Sequence, residues 1–157
     1  MSSELAKKVA TSVRRSIAVC CGFNSYVEHG LRCAQNDATR LYTKLIENRA
    51  FNSDPHLTGA GRVFTQKVTE ATEILAAFAS AANSAADLVW FSFSGHAVVS
   101  NTGELRLLLP QWRSTDSEHE KRKFSIGAND LEAVLRPYLR NRSGVRKPGS
   151  SRSVVSS

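Results

Sequence analysis

The sequence lacks any run of eighteen consecutive apolar residues, the length that a helix needs to cross a membrane. Its three cysteines are an odd number with no C-x-x-C spacing, so neither a disulfide framework nor a zinc site is indicated. Reduced thiols of this kind are typical of a cytoplasmic protein. With 41% hydrophobic and 22% charged residues, collagen-like and wholly disordered chains are excluded. The 157 residues therefore predict one globular domain away from the membrane, with no metal and no cofactor.

Acidic residues are absent after Glu132, so the excess of positive charge lies mostly near the C-terminal end of the sequence. The net charge of +7 comes from 21 basic and 14 acidic residues, yet residues 1–139 carry only +2. The remaining charge comes from Arg140, Arg142, Arg146, Lys147 and Arg152. We therefore expect weak, salt-sensitive polyanion binding by the tail rather than an ordered nucleic-acid-binding face.

Composition divides the chain into three ranges. Residues 1–14 form a polar N-terminal extension that lacks the apolar core of a secretory signal. Residues 15–140 carry the apolar segments of a globular domain, and residues 141–157 form a basic, Gly/Ser-rich tail predicted to be disordered.

Short apolar runs alternate with amphipathic segments between residues 15 and 140. The pattern predicts strands at 16–21, 62–66, 87–93 and 105–109, loops at 48–61 and 111–123, and helices beginning at Asn36 or Asp37, at Thr69 with Glu70, and at Asn129. This order predicts an α/β fold with a mostly parallel sheet and helices on both faces. In such a sheet the functional loops gather at the carboxyl ends of the strands.

His96 stands at the carboxyl end of the strongest predicted strand, directly after the small residues Ser94 and Gly95. An imidazole suits general acid–base catalysis near neutral pH, and small residues before it leave room for a substrate. A structural hydrogen-bonding role at the strand end is the alternative. The other histidines lie in polar contexts typical of a solvated surface: His29, His56 and His119.

Five segments, in order and at compatible spacing, resemble the caspase-like cysteine peptidases and, within them, the metacaspase and bacterial branches. They are 17–26 with its Gly-x-Asn-x-Tyr exit, 31–38, 69–78, 91–96 with its Ser-Gly-His string, and 103–110 continued by 129–131. The resemblance covers about residues 15–140. It implies a caspase-like three-layer sandwich and the N-terminal, large-subunit portion of such a peptidase.

The resemblance also implies residue roles. In that family a cysteine thiolate attacks the peptide carbonyl, and a histidine moves the protons. His96 matches the catalytic histidine, and the backbone N–H of Ala97 matches an oxyanion donor. The family usually has glycine there, so a positive φ would cost alanine roughly 1 kcal/mol. Asp37 and Ser94 match the substrate pocket for an Arg or Lys side chain; a helix N-cap and a tight-turn residue are their structural alternatives.

The nucleophile that the resemblance requires is missing, because no cysteine follows Cys33. The family carries it on the strand after the helix predicted at Asn129, so we expect the chain to be truncated before that strand. This would leave the strand that precedes His96 with an unpaired edge and exposed apolar surface. Cys20 and Cys21 are substitute nucleophiles only if the fold brings one of them to His96, and packed thiols are the alternative.

Three functions remain as alternatives. The first is a caspase-like cysteine endopeptidase domain for peptide or protein substrates, expected to be inactive as written. The second is a catalytically inactive pseudoenzyme that binds or regulates a caspase-like partner. The third is a small basic α/β nucleic-acid-binding domain, which the location of the basic residues in the tail and the absence of a Gly-rich phosphate loop disfavour.

Overall fold

The computed structural model describes residues 16–47, 62–65, 68, 70–84, 86 and 88–143. Its strands are β1 (Ser16–Gly22), β2 (Arg62–Phe64), β3 (Leu88–Ser94), β4 (Ala97–Val99), β5 (Leu105–Leu108) and β6 (Ser125–Gly127). Its helices are α1 (Ala34–Glu47), α2 (Ala71–Asn83), α3 (Glu118–Lys123) and α4 (Ala128–Ser143). The predicted extension at 1–14, the predicted loop at 48–61 and the tail from residue 144 lie outside the described residues. No helix in the described ranges is long and apolar enough to cross a membrane.

A parallel sheet in the order β2-β1-β3 forms the centre of the fold. All seven residues of β1 are buried, as expected of a strand that is covered on both faces. Because side chains alternate along a strand, Ile17 and Val19 enter one apolar cluster while Ala18 and Cys20 enter another. The strand predicted at 16–21 is confirmed as β1, in the centre of this sheet, and the strand predicted at 62–66 corresponds to the shorter β2 at its edge.

Helices cover both faces of this sheet. On one face Ala38 of α1 packs against Ala18 and Cys20. On the other face Ile74 and Phe78 of α2 join the cluster of Ile17 and Val19, with apolar residues of α4 packed against it. Burying each large apolar side chain contributes about 1.5–3 kcal/mol, so these contacts hold the layers together. The α/β fold with helices on both faces is confirmed.

The prediction of one mostly parallel sheet is wrong for the second half of the domain. β4, β5 and β6 form a separate antiparallel sheet, and the strand predicted at 105–109 is its centre. The reason is the length of the connections: five residues join β4 to β5, whereas a parallel crossover needs a dozen or more. Strands as short as β4 and β6 show no periodicity that a sequence pattern could detect.

Helix α1 begins at Ala34, earlier than the predicted caps Asn36 and Asp37. A residue far back in the sequence supplies a hydrogen-bond acceptor for its first turn: Oδ1 of Asn24 accepts the backbone N–H of Gln35 at 3.0 Å. A cap eleven residues away leaves no local signal, so the sequence placed the start of the helix too late.

Helix α2 follows Glu70, whose backbone N–H donates to Oε1 of Glu73 at 3.3 Å, which confirms the predicted start; Thr69 lies outside the described residues. The segment predicted as an exposed loop contains α3. The side chain of Ser117 caps this helix by accepting the backbone N–H of Glu120. A helix of six residues, all charged or polar, has no apolar stripe from which it could be predicted.

Helix α4 begins at Ala128, so the predicted cap Asn129 lies inside its first turn. The carboxylate of Asp130, in the first turn, accepts the backbone N–H of Gly127 at 2.8 Å and so stabilises the start of the helix. The helix continues past Pro137 to Ser143.

Strand β3 borders β1 on one side, and the described residues supply no strand on its other side. Leu88 and Trp90, which share one face of β3, are 48% and 41% exposed. In the part of the chain that the structure describes, the expected open edge and exposed apolar surface are therefore present.

Trp90→Lys is expected to lower self-association of the chain, because a charge on an open edge strand discourages pairing with another strand. Sedimentation velocity over a concentration series measures the effect. Leu105→Lys is the matched control, since Leu105 is 53% exposed on β5, the central strand of the other sheet, which is paired on both sides. Equal lowering by both variants, or a wild-type chain that stays monomeric throughout, would contradict the prediction.

Candidate functional site

His96 lies where the chain passes from the parallel sheet to the antiparallel sheet. β3 ends at Ser94, and β4 begins at Ala97, so His96 stands between them with a half-buried ring. Its predicted position at the carboxyl end of β3 is confirmed. The backbone of His96 already belongs to the β4–β5 ladder, because its carbonyl accepts the N–H of Leu108 at 2.9 Å.

The hydroxyl of Tyr26 completes this pairing. In an antiparallel pair of this type the two residues exchange two direct bonds. Here the N–H of His96 donates to the Tyr26 hydroxyl at 3.1 Å, and the hydroxyl donates to the carbonyl of Leu108 at 3.0 Å. One tyrosine from the loop after β1 is therefore inserted into the ladder of the other sheet, and it fixes the backbone of His96.

Gly95 leaves room for this tyrosine. A Cβ on Gly95 would overlap the Tyr26 hydroxyl and press on the ring of Phe93. The Tyr26 ring also meets the His96 ring edge-on, with centroids 4.6 Å apart. Burial raises the pKa of Tyr26, so the hydroxyl stays protonated and remains able to donate. The small residue before the histidine thus makes space for a tyrosine, where the sequence suggested space for a substrate.

The imidazole of His96 is held by a main-chain group. Its Nε2 lies 2.6 Å from the carbonyl oxygen of His29. A carbonyl only accepts, so Nε2 carries the proton and Nδ1 is the basic nitrogen. An imidazole oriented by a second group is the arrangement that general bases use in catalytic dyads and triads. Sequence reasoning assigned His29 to the surface; its side chain is indeed exposed, and only its carbonyl reaches the site.

The N–H of Ala97 points away from the neighbouring strand. Ala97 lies opposite Leu107, and the bonded pairs of the ladder flank this position. Because bonded and non-bonded pairs alternate, the N–H of Ala97 is directed out of the β4–β5 pair. Ala97 is part of a strand, whose backbone has negative φ, so the penalty expected for alanine in place of glycine does not arise.

Asp37 and Ser94 lie at the same end of the parallel sheet. Ser94 pairs in register with Gly22, and Gly22 lies close against Ala34 and Ala38 of α1. The first turn of α1 therefore stands beside the ends of β1 and β3. Asp37 belongs to this turn and is exposed; since the helix begins three residues earlier, its alternative role as an N-cap is wrong. Among the described residues no hydrogen bond or ion pair joins Asp37 to Ser94.

Cys20 and Cys21 point to opposite faces of the parallel sheet and are both fully buried. Burial raises the pKa of both thiols, which keeps them protonated, whereas the reactive form of cysteine is the thiolate. Cys33 is exposed and precedes α1. These environments favour packed thiols over a substitute nucleophile.

Two surface cavities of about 350 and 330 Å³ lie beside β5 and α3, away from His96. Arg106 lines both, and its guanidinium is engaged by Glu104, Asp130 and Ser125 at 2.8–3.2 Å. Four of the five N–H donors of this guanidinium are used within the protein, which favours a structural role for the network. Within the described ranges, no cluster of His, Cys, Asp or Glu side chains is placed to hold a metal ion.

The fold and the site define a mixed α/β domain with an oriented histidine between a parallel and an antiparallel sheet. Comparison of the chain with protein-family models, with curated proteins and with solved structures gave no match.

Tyr26→Phe removes the hydroxyl that joins the His96 N–H to the Leu108 carbonyl. We expect the free energy of unfolding to fall by about 1–3 kcal/mol, because both backbone groups lose their partner. Urea denaturation measures the change. Tyr138→Phe, at a half-buried α4 residue outside this bridge, is the control and should stay within about 0.5 kcal/mol of wild type. Equal losses in the two variants would contradict the bridging role.

The native chain should expose one reactive thiol of its three. At pH 8 we expect an aromatic disulfide reagent to modify Cys33 quickly, and Cys20 and Cys21 only after denaturation, because their burial blocks access and their raised pKa keeps them protonated. Absorbance of the released thiolate counts the thiols. Cys33→Ser should remove the fast phase, and a fast phase that persists in that variant would refute the assignment.

Proposed function

We propose that this chain carries the histidine and the oxyanion donor of a caspase-like cysteine peptidase site and places no nucleophile beside them. The observation that carries the proposal is the 2.6 Å contact between Nε2 of His96 and the carbonyl of His29. It leaves Nδ1 as the base, and the outward N–H of Ala97 follows in the next residue. Because His96 and Ala97 are adjacent in the chain, the base and the donor lie close together.

The chemistry of acyl transfer fits these groups. Nδ1 of His96 would take the proton of a thiol and return it to the leaving amine. The N–H of Ala97 would donate to the oxyanion of the tetrahedral intermediate, a contact that typically contributes about 2.7–4 kcal/mol to catalysis. Both roles need only a ring in one tautomer and a free main-chain donor.

The strand order supports the proposal. The family fold places its first strand beside the strand that precedes the histidine, and β1 pairs with β3 along seven residues. The family's next core strand would occupy the open edge of β3. A cysteine at the carboxyl end of such a strand would reach the end of the sheet where His96 lies.

Asp37 and Ser94 support a preference for Arg or Lys at the cleaved position. The exposed carboxylate of Asp37 is free of ion pairs within the described residues, so it remains able to meet a cationic side chain. At an exposed site such a pair contributes about 0.2–1 kcal/mol, and it strengthens when a substrate excludes water.

A peptide-binding pseudoenzyme is the second candidate, and the buried thiols favour it. Neither Cys20 nor Cys21 is placed to become a thiolate, and Cys33 is exposed at the start of α1. Such a module would bind a peptide or a caspase-like partner without cleaving it. Nucleic-acid binding stays a prediction, because the basic residues from 144 onward lie outside the described residues.

The test uses a product-like peptide that ends in arginine with a free carboxylate. We expect titration to shift the NMR amide signal of Ala97 and the ring signals of His96. Asp37→Asn should weaken binding by up to about five-fold, the effect of losing an exposed ion pair. Peptide amides with Arg or Lys before the scissile bond should show no turnover.

Glu47→Gln is the matched control, because it removes the same charge from the other end of α1, about 15 Å away. Unshifted Ala97 and His96 signals, or equal weakening by Asp37→Asn and Glu47→Gln, would overturn the proposed site. Turnover by the wild-type chain that disappears in His96→Ala would refute the prediction that the chain lacks a nucleophile. If that turnover also disappears in Cys21→Ser but not in Cys33→Ser, Cys21 is the nucleophile.

A further inference from the structure

The loop between β1 and α1 carries the His29 carbonyl, and Asn24 closes its base. The carbonyl of Asn24 accepts the N–H of Leu31 at 2.8 Å, and its Nδ2 donates to the carbonyl of Arg32 at 3.1 Å. Together with the bond from Gln35, these contacts fix both ends of the loop. The tip, residues 27–30, is exposed, so burial does not hold it in place.

The tip is tied instead to the segment that follows β5. The N–H of Val27 donates to the carbonyl of Pro110 at 3.1 Å. The carboxylate of Glu28 accepts two bonds from Ser114, from the backbone N–H at 2.7 Å and from the hydroxyl at 2.8 Å. These three bonds come from the two residues directly before His29.

We propose that Glu28 is a positioning residue for His96: anchored on Ser114, it holds the loop tip so that the His29 carbonyl reaches Nε2 of the imidazole. The inference rests on the proposed function and deepens it, because it identifies the side chain that keeps the base in one tautomer. Glu28 is the residue next to His29, so release of its carboxylate from Ser114 frees the stretch of backbone that carries that carbonyl.

The strength of the anchor follows from its charge. Hydrogen bonds to an ionised carboxylate are shorter and roughly twice as strong as neutral ones. The Ser114 bonds, helped by the nearby His29 and Arg113, hold the pKa of the Glu28 carboxyl below its ordinary value, so the charged form is present at neutral pH. A shift of the His29 carbonyl by about 1 Å would break its bond to His96, since hydrogen bonds fail near 3.5 Å.

The experiment reads the His96 tautomer directly, by ¹⁵N–¹H NMR of the imidazole in the full chain without peptide. Wild type should show the Nε2–H form. In Glu28→Ala the ratio of Nε2–H to Nδ1–H should fall by about five-fold or more, the effect of losing one hydrogen bond. Ser114→Ala keeps the backbone N–H that Glu28 accepts, so its ratio should lie between those of wild type and Glu28→Ala. Glu28→Gln should restore most of the wild-type ratio, because its amide oxygen accepts the same bonds.

Glu118→Ala is the matched control, since Glu118 is exposed and pairs with Lys121 within α3. A wild-type ratio in Glu28→Ala, or an equal fall in Glu118→Ala, would overturn the proposal. Should Glu28→Ala unfold, Ser114→Ala decides, and a wild-type ratio there overturns it. A wild-type chain without the Nε2–H form would also refute the inference. Loss of peptide binding with the tautomer response intact would count against the proposed function alone.

Discussion

The hydroxyl of Tyr26 is the contact on which the rest of the site depends. It stands between the N–H of His96 and the carbonyl of Leu108, and so joins the loop after β1 to the antiparallel sheet. It acts together with the backbone between β3 and β4, with apolar packing, and with the bonds of Val27 and Glu28 to the segment after β5. Because the bridge acts on the backbone of His96, it places the imidazole and the next N–H in one step.

Three alternate residues, from the last residue of β1 onward, each make one necessary contact. Gly22 lets α1 approach β1, Asn24 caps that helix and closes the loop, and Tyr26 reaches the second sheet. The Gly-x-Asn-x-Tyr string is therefore one physical unit that sets the position of α1, of the loop tip and of His96.

Two of the polar groups at the candidate site are main-chain groups. The His29 carbonyl orients the imidazole, and the Ala97 N–H is directed out of the β4–β5 pair, so neither feature depends on the side chain at that position. Ala97 has the extended backbone of a strand, which alanine adopts without strain. The position of the His29 carbonyl in turn depends on the loop that carries it, which Glu28 anchors on Ser114.

The local sequence was sufficient to predict β1, β3 and α2, because each has a continuous or periodic apolar pattern that only burial in a core explains. It also placed His96 at a strand end. The tertiary structure alone decided the antiparallel second sheet, the start of α1 and the partners of His96. Those features depend on main-chain bonds and on contacts between residues up to 70 positions apart, which leave no periodic trace in the sequence.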